Sequence, residues 1–348
     1  STAAKLGATM YSWDESPATG YYLRTIGVKD LKWETTRTLN LGLDFGLLNN
    51  RIYGSIDIYK QNTTDLLLEN RAPSFSGYFS VIDNIGETEN KGIEAMINSI
   101  NISTASGFKW STGFTISHNK EEIVKLNEGV LEDINNGWFV GHPVDVHYDY
   151  KKIGIWQRSD SAFAALHGYR PGEIRMQDLN NDTAISADDK QILGTPRPKV
   201  TFGLNNRFEY KGFDLSVFVF ARLGQMIHSS AHARFDFEGL TKSIKCDYWL
   251  PDNPTNEYPR PDRRKPHFIQ ANVLGYKDGS FVKVRDITLG YTLPSKLTSR
   301  IQLSRLRIYS TMKNYFTFSE ITPYDPERGG SLSQPMTKQW IFGINVEF

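Results

Sequence analysis

Between positions 39 and 47 every second residue is apolar: Leu39, Leu41, Leu43, Phe45 and Leu47 alternate with Asn40, Gly42, Asp44 and Gly46. Only an extended backbone sends successive side chains to opposite faces, so this period demands a strand with one wholly apolar face. The pattern returns along the chain. Ile52, Ile56 and Ile58 are opposed in phase by Tyr53, Asp57 and Tyr59 after an Asn49-Asn50 turn, which reads as a tight hairpin. Segments 90–103 and 108–118 follow, with a turn near Gly107 and Trp110, Thr112, Phe114 and Ile116 in phase. Segments 199–210 and 213–224 flank Lys211-Gly212, and Phe213, Leu215, Val217, Val219, Ala221 and Leu223 make another apolar comb. A fourth pair spans 281–292 and 304–316, turned by Pro294 and the polar segment through Arg300. Trp340, Phe342, Ile344, Val346 and Phe348 alternate to the last residue. Helical periodicity is almost absent. The prediction is an all-β chain with about nine strands.

Lys and Arg number 40 against 39 Asp and Glu, so no basic surface for nucleic acid is implied. The single Cys246 excludes an internal disulfide and any cysteine-built zinc or iron–sulfur site. Mean hydropathy is -0.44 and no run of 18 apolar residues occurs, which excludes a transmembrane helix. It leaves open a membrane β-barrel, whose alternating strands average to ordinary hydropathy. The opening residues STAAKLGATM show no signal peptide, so either a leader was removed or position 1 is not the start of the gene product.

Connection lengths decide between all-β architectures. Short ones are expected at 48–51, 104–108, 211–212 and 294–303, and long polar ones at about 69–89, 119–198, 225–280 and 317–337. Outer-membrane barrels have short periplasmic turns and long external loops, whereas a sandwich follows no such rule. With every short turn periplasmic, the strand directions are self-consistent and the C-terminus is periplasmic. The extended stretch from Val146 through Tyr148, Tyr150 and Ile155 would break that parity, so it belongs inside an external loop. Residues 1–30 read as an external loop region and 31–348 as barrel wall. Nine strands cannot close in lipid, where an open edge is not tolerated. The predicted fold is therefore an antiparallel transmembrane β-barrel of which this chain supplies a C-terminal part, the remainder coming from an upstream segment or another chain. The alternative is a soluble β-sandwich acting as a glycan-binding or structural module.

Several stretches resemble the SusC/RagA-type TonB-dependent outer-membrane transporters of Bacteroidetes: LKWETT (31–36) leading into NLGLDFGLLNNRIYGSIDIYKQNTTDLL, NIGETENKGIEAMI (84–97), the run from PGEIRMQDLNND through RLG (171–224), FVKVRDITLGYTLP (281–294), LRIYSTMKNYFTFS (306–319) and YDPE (324–327). The resemblance implies a barrel of about 22 strands with a lumenal plug. It further implies import of a nutrient, a glycan or a peptide, energised by the TonB system under a SusD-like surface lipoprotein. The plug and the TonB-contacting segment are not among these residues.

Among candidate site residues, Asp178, Asn180, Asp182, the Ala184 carbonyl and Asp189 stand at positions 1, 3, 5, 7 and 12 of an EF-hand-like calcium loop, with Ile185 at position 8. Thr183 replaces the preferred Gly and Asp189 the longer Glu, and the same residues read equally as an Asx-rich turn without metal. Either way the segment would stiffen an external loop. Calcium is the one cofactor considered, and no organic cofactor is implied. Trp340, Phe342, Ile344, Val346 and Phe348 resemble the C-terminal signal read by barrel-assembly machinery. Aromatic residues crowd the expected external loops: Trp13, Tyr21, Tyr22, Trp138, Phe139, Tyr148, Tyr150, Trp156, Phe235, Phe237, Tyr248 and Trp249. Of these, Trp138, Tyr148, Tyr150, Trp156 and Trp249 are the substrate-contact candidates, since flat rings suit sugar faces or peptide side chains. His228 and His232 have an i,i+4 spacing without a third ligand, and Arg263-Arg264-Lys265 reads as a solvated loop. No nucleophile elbow, zinc-protease helix, phosphate loop or dinucleotide fingerprint occurs, so no catalysis is expected.

Overall fold

The polar and apolar phases predicted above become the two faces of one sheet. The computed structural model describes residues 5–25, 27–71, 75, 77, 80–233, 245–262, 272–322, 324–329, 331, 333 and 335–348. Strands β1 (Lys5–Trp13) and β2 (Ser16–Thr25) form a hairpin closed by Asp14 and Glu15, both in the left-handed region that a two-residue hairpin turn requires. Region 1–30, predicted only as loop, thus contains regular structure. Its pattern is silent because apolar side chains occupy both phases of β1, Leu6 and Met10 on one and Tyr11 and Trp13 on the other.

The wall begins with β3 (Thr35–Leu47), β4 (Ile52–Arg71), β5 (Ser80–Ser103) and β6 (Lys109–Lys125). Six short strands follow: β7 (Glu132–Asp133), β8 (Trp138–Phe139), β9 (His147–Tyr150), β10 (Lys152–Ile155), β11 (Ile174–Met176) and β12 (Lys190–Gly194). The wall resumes in β13 (Val200–Tyr210) and β14 (Phe213–Leu223), is interrupted by β15 (Met226–His228) and β16 (Tyr276–Asp278), and ends in β17 (Phe281–Thr292), β18 (Arg305–Ser319) and β19 (Gln339–Glu347). Strands β3, β4, β5, β6, β13, β14, β17, β18 and β19 are hydrogen-bonded neighbours in that order. They are the nine expected strands, and the ladders from β6 to β19 are antiparallel throughout.

One boundary follows expectation and one does not. The 48–51 connection is a four-residue loop, with Leu48, Asn49 and Asn50 all at positive φ and Arg51 N–H donating to the Leu48 carbonyl. The 69–89 connection is mostly strand, since β4 runs to Arg71 and β5 starts at Ser80. In 60–71 the apolar phase disappears into Lys60-Gln61-Asn62-Thr63-Thr64-Asp65, yet the backbone ladder continues, because backbone pairing needs no hydrophobic face. The stretch around Tyr148 and Tyr150 does form strands, but β9 pairs only β12, and β10 only β11, off the wall.

In the ladder from β6 to β19, one face carries Trp110, Phe114 and Ile116, then Phe202, Leu204 and Phe208, then Leu215, Val217 and Val219, with Leu289, Ile308 and Ile344 continuing it in register. The other face carries Asn205, Arg207, Glu209, Asp214, Ser216, Thr288 and Thr311. Ser216 Oγ bonds Asn205 Oδ1 at 3.0 Å, and the Thr288 and Thr311 hydroxyls pair at 2.9 Å. Each phase has exceptions. A chain of polar bonds, Asn101 Nδ2 to Thr112 Oγ1 (2.7 Å), Thr112 Oγ1 to Asn206 Oδ1 (2.7 Å) and Trp110 Nε1 to Asn206 Oδ1 (3.0 Å), lies in the apolar phase near the short-turn end. Phe218 and Phe220 stand in the polar phase.

Apart from Ala221, the apolar combs are not buried among the described residues. Leu39, Leu41, Trp340, Phe342 and Ile344 each keep 60–75% of their surface exposed. A sandwich would press its combs together across a core, and here they meet nothing, so that alternative falls. The buried apolar cluster lies instead in the long connections, built from Ile155, Ile174, Met176, Trp249, Tyr258, Val273 and Leu274.

Candidate functional site

The chain divides into two compact units: Ser1–Leu41 with Ile58–Ile93 and Asn119–Val144, and Gly42–Asp57 with Glu94–His118 and Asp145–Phe348. In the first unit, β7 and β8 form a small hairpin beside the end of β6, anchored by Ile123 N–H to the His142 carbonyl (2.8 Å) and Gly141 N–H to the Ile123 carbonyl (2.8 Å). This arrangement half-exposes the Trp138 ring. Trp138, Leu68 and Leu126 line both of two cavities, about 380 Å³ and about 280 Å³. The larger adds Asn127, Glu132, Asp133 and Asn135 around its apolar floor. An aromatic face beside amides and carboxylates can hold the flat apolar side of a sugar or a side chain while bonding its polar groups.

The second unit contains the buried cluster of the long connections. Trp249 is 3% exposed, and its Nε1 donates to Gln157 Oε1 at 2.8 Å. Trp156 is 2% exposed, covered by the Arg175 guanidinium at 4.5 Å and ringed by Phe163, His167 and Tyr169. Both indoles are buried: the connections fold on a core of their own, and large rings supply it. Tyr148 and Tyr150 lie half-buried on β9, with the Lys190 ammonium 5.2 Å above the Tyr150 ring. Among the other aromatic candidates, Trp13, Tyr21, Tyr22 and Tyr248 are exposed, and Phe139 is buried. Phe235, Phe237 and Arg263-Arg264-Lys265 lie outside the described residues. Cys246 packs against the buried cluster, and burial pushes its thiol up, away from the reactive thiolate.

The 178–189 segment is held by its own side chains. Asp178 accepts from Asn181 N–H (2.6 Å) and Thr183 N–H (2.9 Å), and Asp182 accepts from Ala184 N–H (2.8 Å). Asp189, fully buried, accepts from Leu179 N–H (2.7 Å) and Ser186 N–H (2.8 Å), closing a capping box on the 3₁₀ turn Ala187–Asp189. Asn181 and Thr183 take positive φ. The carboxylates serve as turn acceptors, and among the described residues no three His, Cys, Asp or Glu gather as a metal-ligand set. Replacing Asp189 by Ala takes the acceptor from two part-buried amides, at an expected cost of about 1 kcal/mol each. Hydrogen exchange across 178–190 should then accelerate markedly, and less so in Asp189→Asn; unchanged exchange would contradict this role.

His228 and His232 also bind protein groups. His228 Nε2 lies 3.1 Å from the Asn272 carbonyl and His232 Nδ1 2.7 Å from Ser229 Oγ. The rings of His228 and His147 flank Tyr276 at 4.9 and 5.3 Å, and His147 Nε2 meets the Met226 carbonyl at 3.1 Å. Burial pushes Tyr276 up, helped by Asp149, whose carboxylate accepts its hydroxyl at 3.0 Å. Burial lowers His147, with repulsion from His228 adding; burial and Lys277 lower His232, with the Thr322 backbone acting the other way. A histidine with a depressed folded pKa contributes full stability above its unfolded value near 6.5 and loses it as pH falls through the folded value. Amides of 225–233 should therefore exchange faster at pH 5.5 than at pH 7.5 after correction for intrinsic rates. Equal corrected rates would exclude the effect.

A signal that sequence reading did not connect joins the motifs FVKVRD and YDPE. Lys283, fully buried on β17, donates to Asp325 Oδ1 and Oδ2 (2.8 and 2.7 Å) and to Glu327 Oε2 (2.9 Å). Against β14 the ladder runs from Phe218–Asp286 straight to Val219–Val284, leaving Arg285 as an extra residue on β17. This bulge sends Arg285 to Glu327 and over the Phe220 ring at 4.8 Å. Pro326–Arg328 is a 3₁₀ turn whose cap, Asp325, also accepts from Glu327 N–H at 3.0 Å. A second ion pair crosses a strand: Arg307 on β18 reaches Asp214 on β14 through two bonds (2.8 and 2.6 Å), passing over Gly290 of β17. At the edge, Trp340, Phe342, Ile344 and Val346 share the exposed face of β19; Trp340 Nε1 donates to Ser310 Oγ at 2.6 Å, and Phe348 follows the strand.

Comparison with known proteins agrees with this architecture. TonB-dependent receptor P3 of Formosa agariphila is 34% identical over 341 residues, covering 94% of this chain and 34% of that protein. TonB-dependent receptor SusC of Bacteroides thetaiotaomicron is 28% identical over 338 residues, covering 92% and 32%. The chain thus spans about a third of the length of these relatives. The solved RagAB peptide transporter shares the fold, with a TM-score of 0.79 at 24% identity over 99% of this chain and 38% of that one. The family "TonB dependent receptor-like, beta-barrel" matches residues 3–314, nine-tenths of the chain, and the chain belongs to that family.

Proposed function

We propose that this chain forms wall and outer loops of a nutrient importer in the outer membrane of a Gram-negative bacterium. One observation carries the reading: the exposed apolar face of the wall coexists with a separately buried core in the connections. Water would not tolerate Leu39, Leu41, Phe342 and Ile344 exposed together, and lipid chains would cover them at a gain of about 1.5–3 kcal/mol per side chain. The opposite face, with Asn205, Arg207, Asp214 and Arg307, suits a hydrated lumen. The long connections then stand outside the cell, the short turns and the C-terminus in the periplasm, and the apolar face of β19 serves barrel assembly. The cargo is a glycan or a peptide received at Trp138 under a SusD-like lipoprotein lid, with energy from the TonB system acting through a plug. Similarity to the RagAB peptide transporter supports a peptide as a cargo class. The function is transport, with no catalysed reaction.

The test uses the full-length protein in its own cell. Its deletion should abolish growth on one polymer class while growth on monomers persists, and the protein should sediment with the outer membrane. Trp138→Ala should lower uptake about tenfold at unchanged protein level if the ring stacks on cargo at 1–3 kcal/mol. Recovery of the wild-type protein in the soluble fraction without detergent would sink the reading.

A further inference from the structure

A third cavity lies wholly within the second unit, about 420 Å³ in volume, between the β9–β10 connection, β12 and β16. Its floor is aliphatic, from Ile192, Leu193, Val273 and Leu274, and its charged lining consists of Lys151, Lys152 and Lys277 with no carboxylate. The volume falls within the range of small-ligand sites. Of the nearby acids, Asp149 accepts from Tyr276 Oη and Asn272 Nδ2, both at 3.0 Å, and Glu257 stands outside the lining, close enough to pull on Lys152. Lys152 Nζ donates to the carbonyls of Asn256 (2.7 Å) and Glu257 (2.8 Å), two acceptors for an ammonium with three protons. Lys277 Nζ stands 5.6 Å from the Tyr258 ring centroid and Lys190 over Tyr150, so cations meet this site from three elements.

We propose that this cavity binds a ligand presenting a carboxylate beside an apolar body, the carboxylate between Lys152 and Lys277 and the apolar part on Leu193, Val273 and Leu274. Oriented ammonium groups over an aliphatic floor match such a ligand, and a neutral one would leave the lysines unanswered. Burial and repulsion from Lys277 hold Lys152 down to about 8, against the opposing pull of Glu257. A bound carboxylate offsets that repulsion, so binding takes up a proton and weakens as pH rises above about 8. As a cargo contact, the site deepens the import reading and rests on it.

The experiment is calorimetry on the full-length protein in detergent with three probes: acetyl-Leu-Leu as the free acid, the same peptide as its amide, and trigalacturonate. Binding of either carboxylate probe, weaker at pH 9 than at pH 7, is expected, and the one that binds identifies a peptide or a sugar acid as the source. The amide should bind about tenfold or more below the free peptide acid where that acid binds. Lys277→Gln, which removes the charge but no hydrogen bond to the fold, should weaken binding by a similar factor; Lys152→Met, checked by its melting temperature, should abolish it. Acid and amide binding alike, no binding of either carboxylate, or wild-type affinity in Lys277→Gln overturns the proposal. Binding is read without transport, so probes that bind a protein unable to import would count against the import reading and leave this site standing.

Discussion

Lys283→Met should be among the most damaging single substitutions in the chain, costing about 3–5 kcal/mol, because it strands the Asp325 and Glu327 carboxylates beside a buried methyl group. The loss should be local at first. The turn Pro326–Arg328 is tied to the wall by this ammonium together with Arg285, so proteolytic cleavage around it should rise before the ladder melts. Conversion of Asp325 to Asn should do less, since Glu327 still answers Lys283. The acid dependence follows from Glu327. Burial raises its carboxyl, but the bond to Lys283 and the charges of Lys283, Arg285 and Arg222 together lower it further, leaving it below the ordinary 4.5. A depressed carboxylate contributes stability that is complete above its unfolded pKa and vanishes as pH falls through the folded value. Cleavage of 320–338 in the native protein should thus be flat at neutral pH and rise only under acid below 4.5. In Lys283→Met the rise should begin at higher pH. A variant that melts and is cleaved like the native protein would remove the pin from the account.

Gly290→Val should act through the ion pair that crosses above it. A side chain at 290 would collide with the Arg307 guanidinium and come within 2.6 Å of Asp214 Oδ1, and β17 cannot yield because it is paired on both sides. The backbone here is ordinary extended strand, so the demand for glycine comes from the space taken by the pair. Overpacking of this kind costs about 1–3 kcal/mol. The discriminating measurement is a cycle of melting temperatures in detergent: with Asp214 and Arg307 both changed to Ala, Gly290→Val should become nearly neutral, a coupling of at least about 0.5 kcal/mol. An equal penalty in both backgrounds would place the strain elsewhere.

These two sites also mark where sequence reading stops. The wall was legible because its exposed face writes a period of two into segments such as 39–47 and 340–348, whatever the rest of the chain does. Where β4 passes through 60–65 the apolar phase ends, and the strand continued unseen. The core of the connections was illegible for another reason: Ile155, Ile174, Trp249 and Leu274 are brought together from positions more than a hundred residues apart, with no local period to announce them. That is why Trp156 and Trp249 passed for surface rings. In 178–189 the spacing of oxygens is legible, but spacing does not say whether an oxygen faces an ion or a neighbouring amide. Lys283 and Asp325 lay in motifs that were both noticed, and only the fold paired them.

The separation of an exposed apolar wall from a buried loop core has a consequence for how variants of this chain should be tolerated. A liquid hydrocarbon has no fixed shape, so Leu41, Leu43 or Ile344 should accept almost any apolar replacement, large or small, and reject charge. Ile174 and Leu274 sit in a close-packed interior, where one methylene more or less is felt. A library of substitutions would thus sort the apolar residues into two populations, one screened for polarity alone and the other for volume, although composition counts them as the same material.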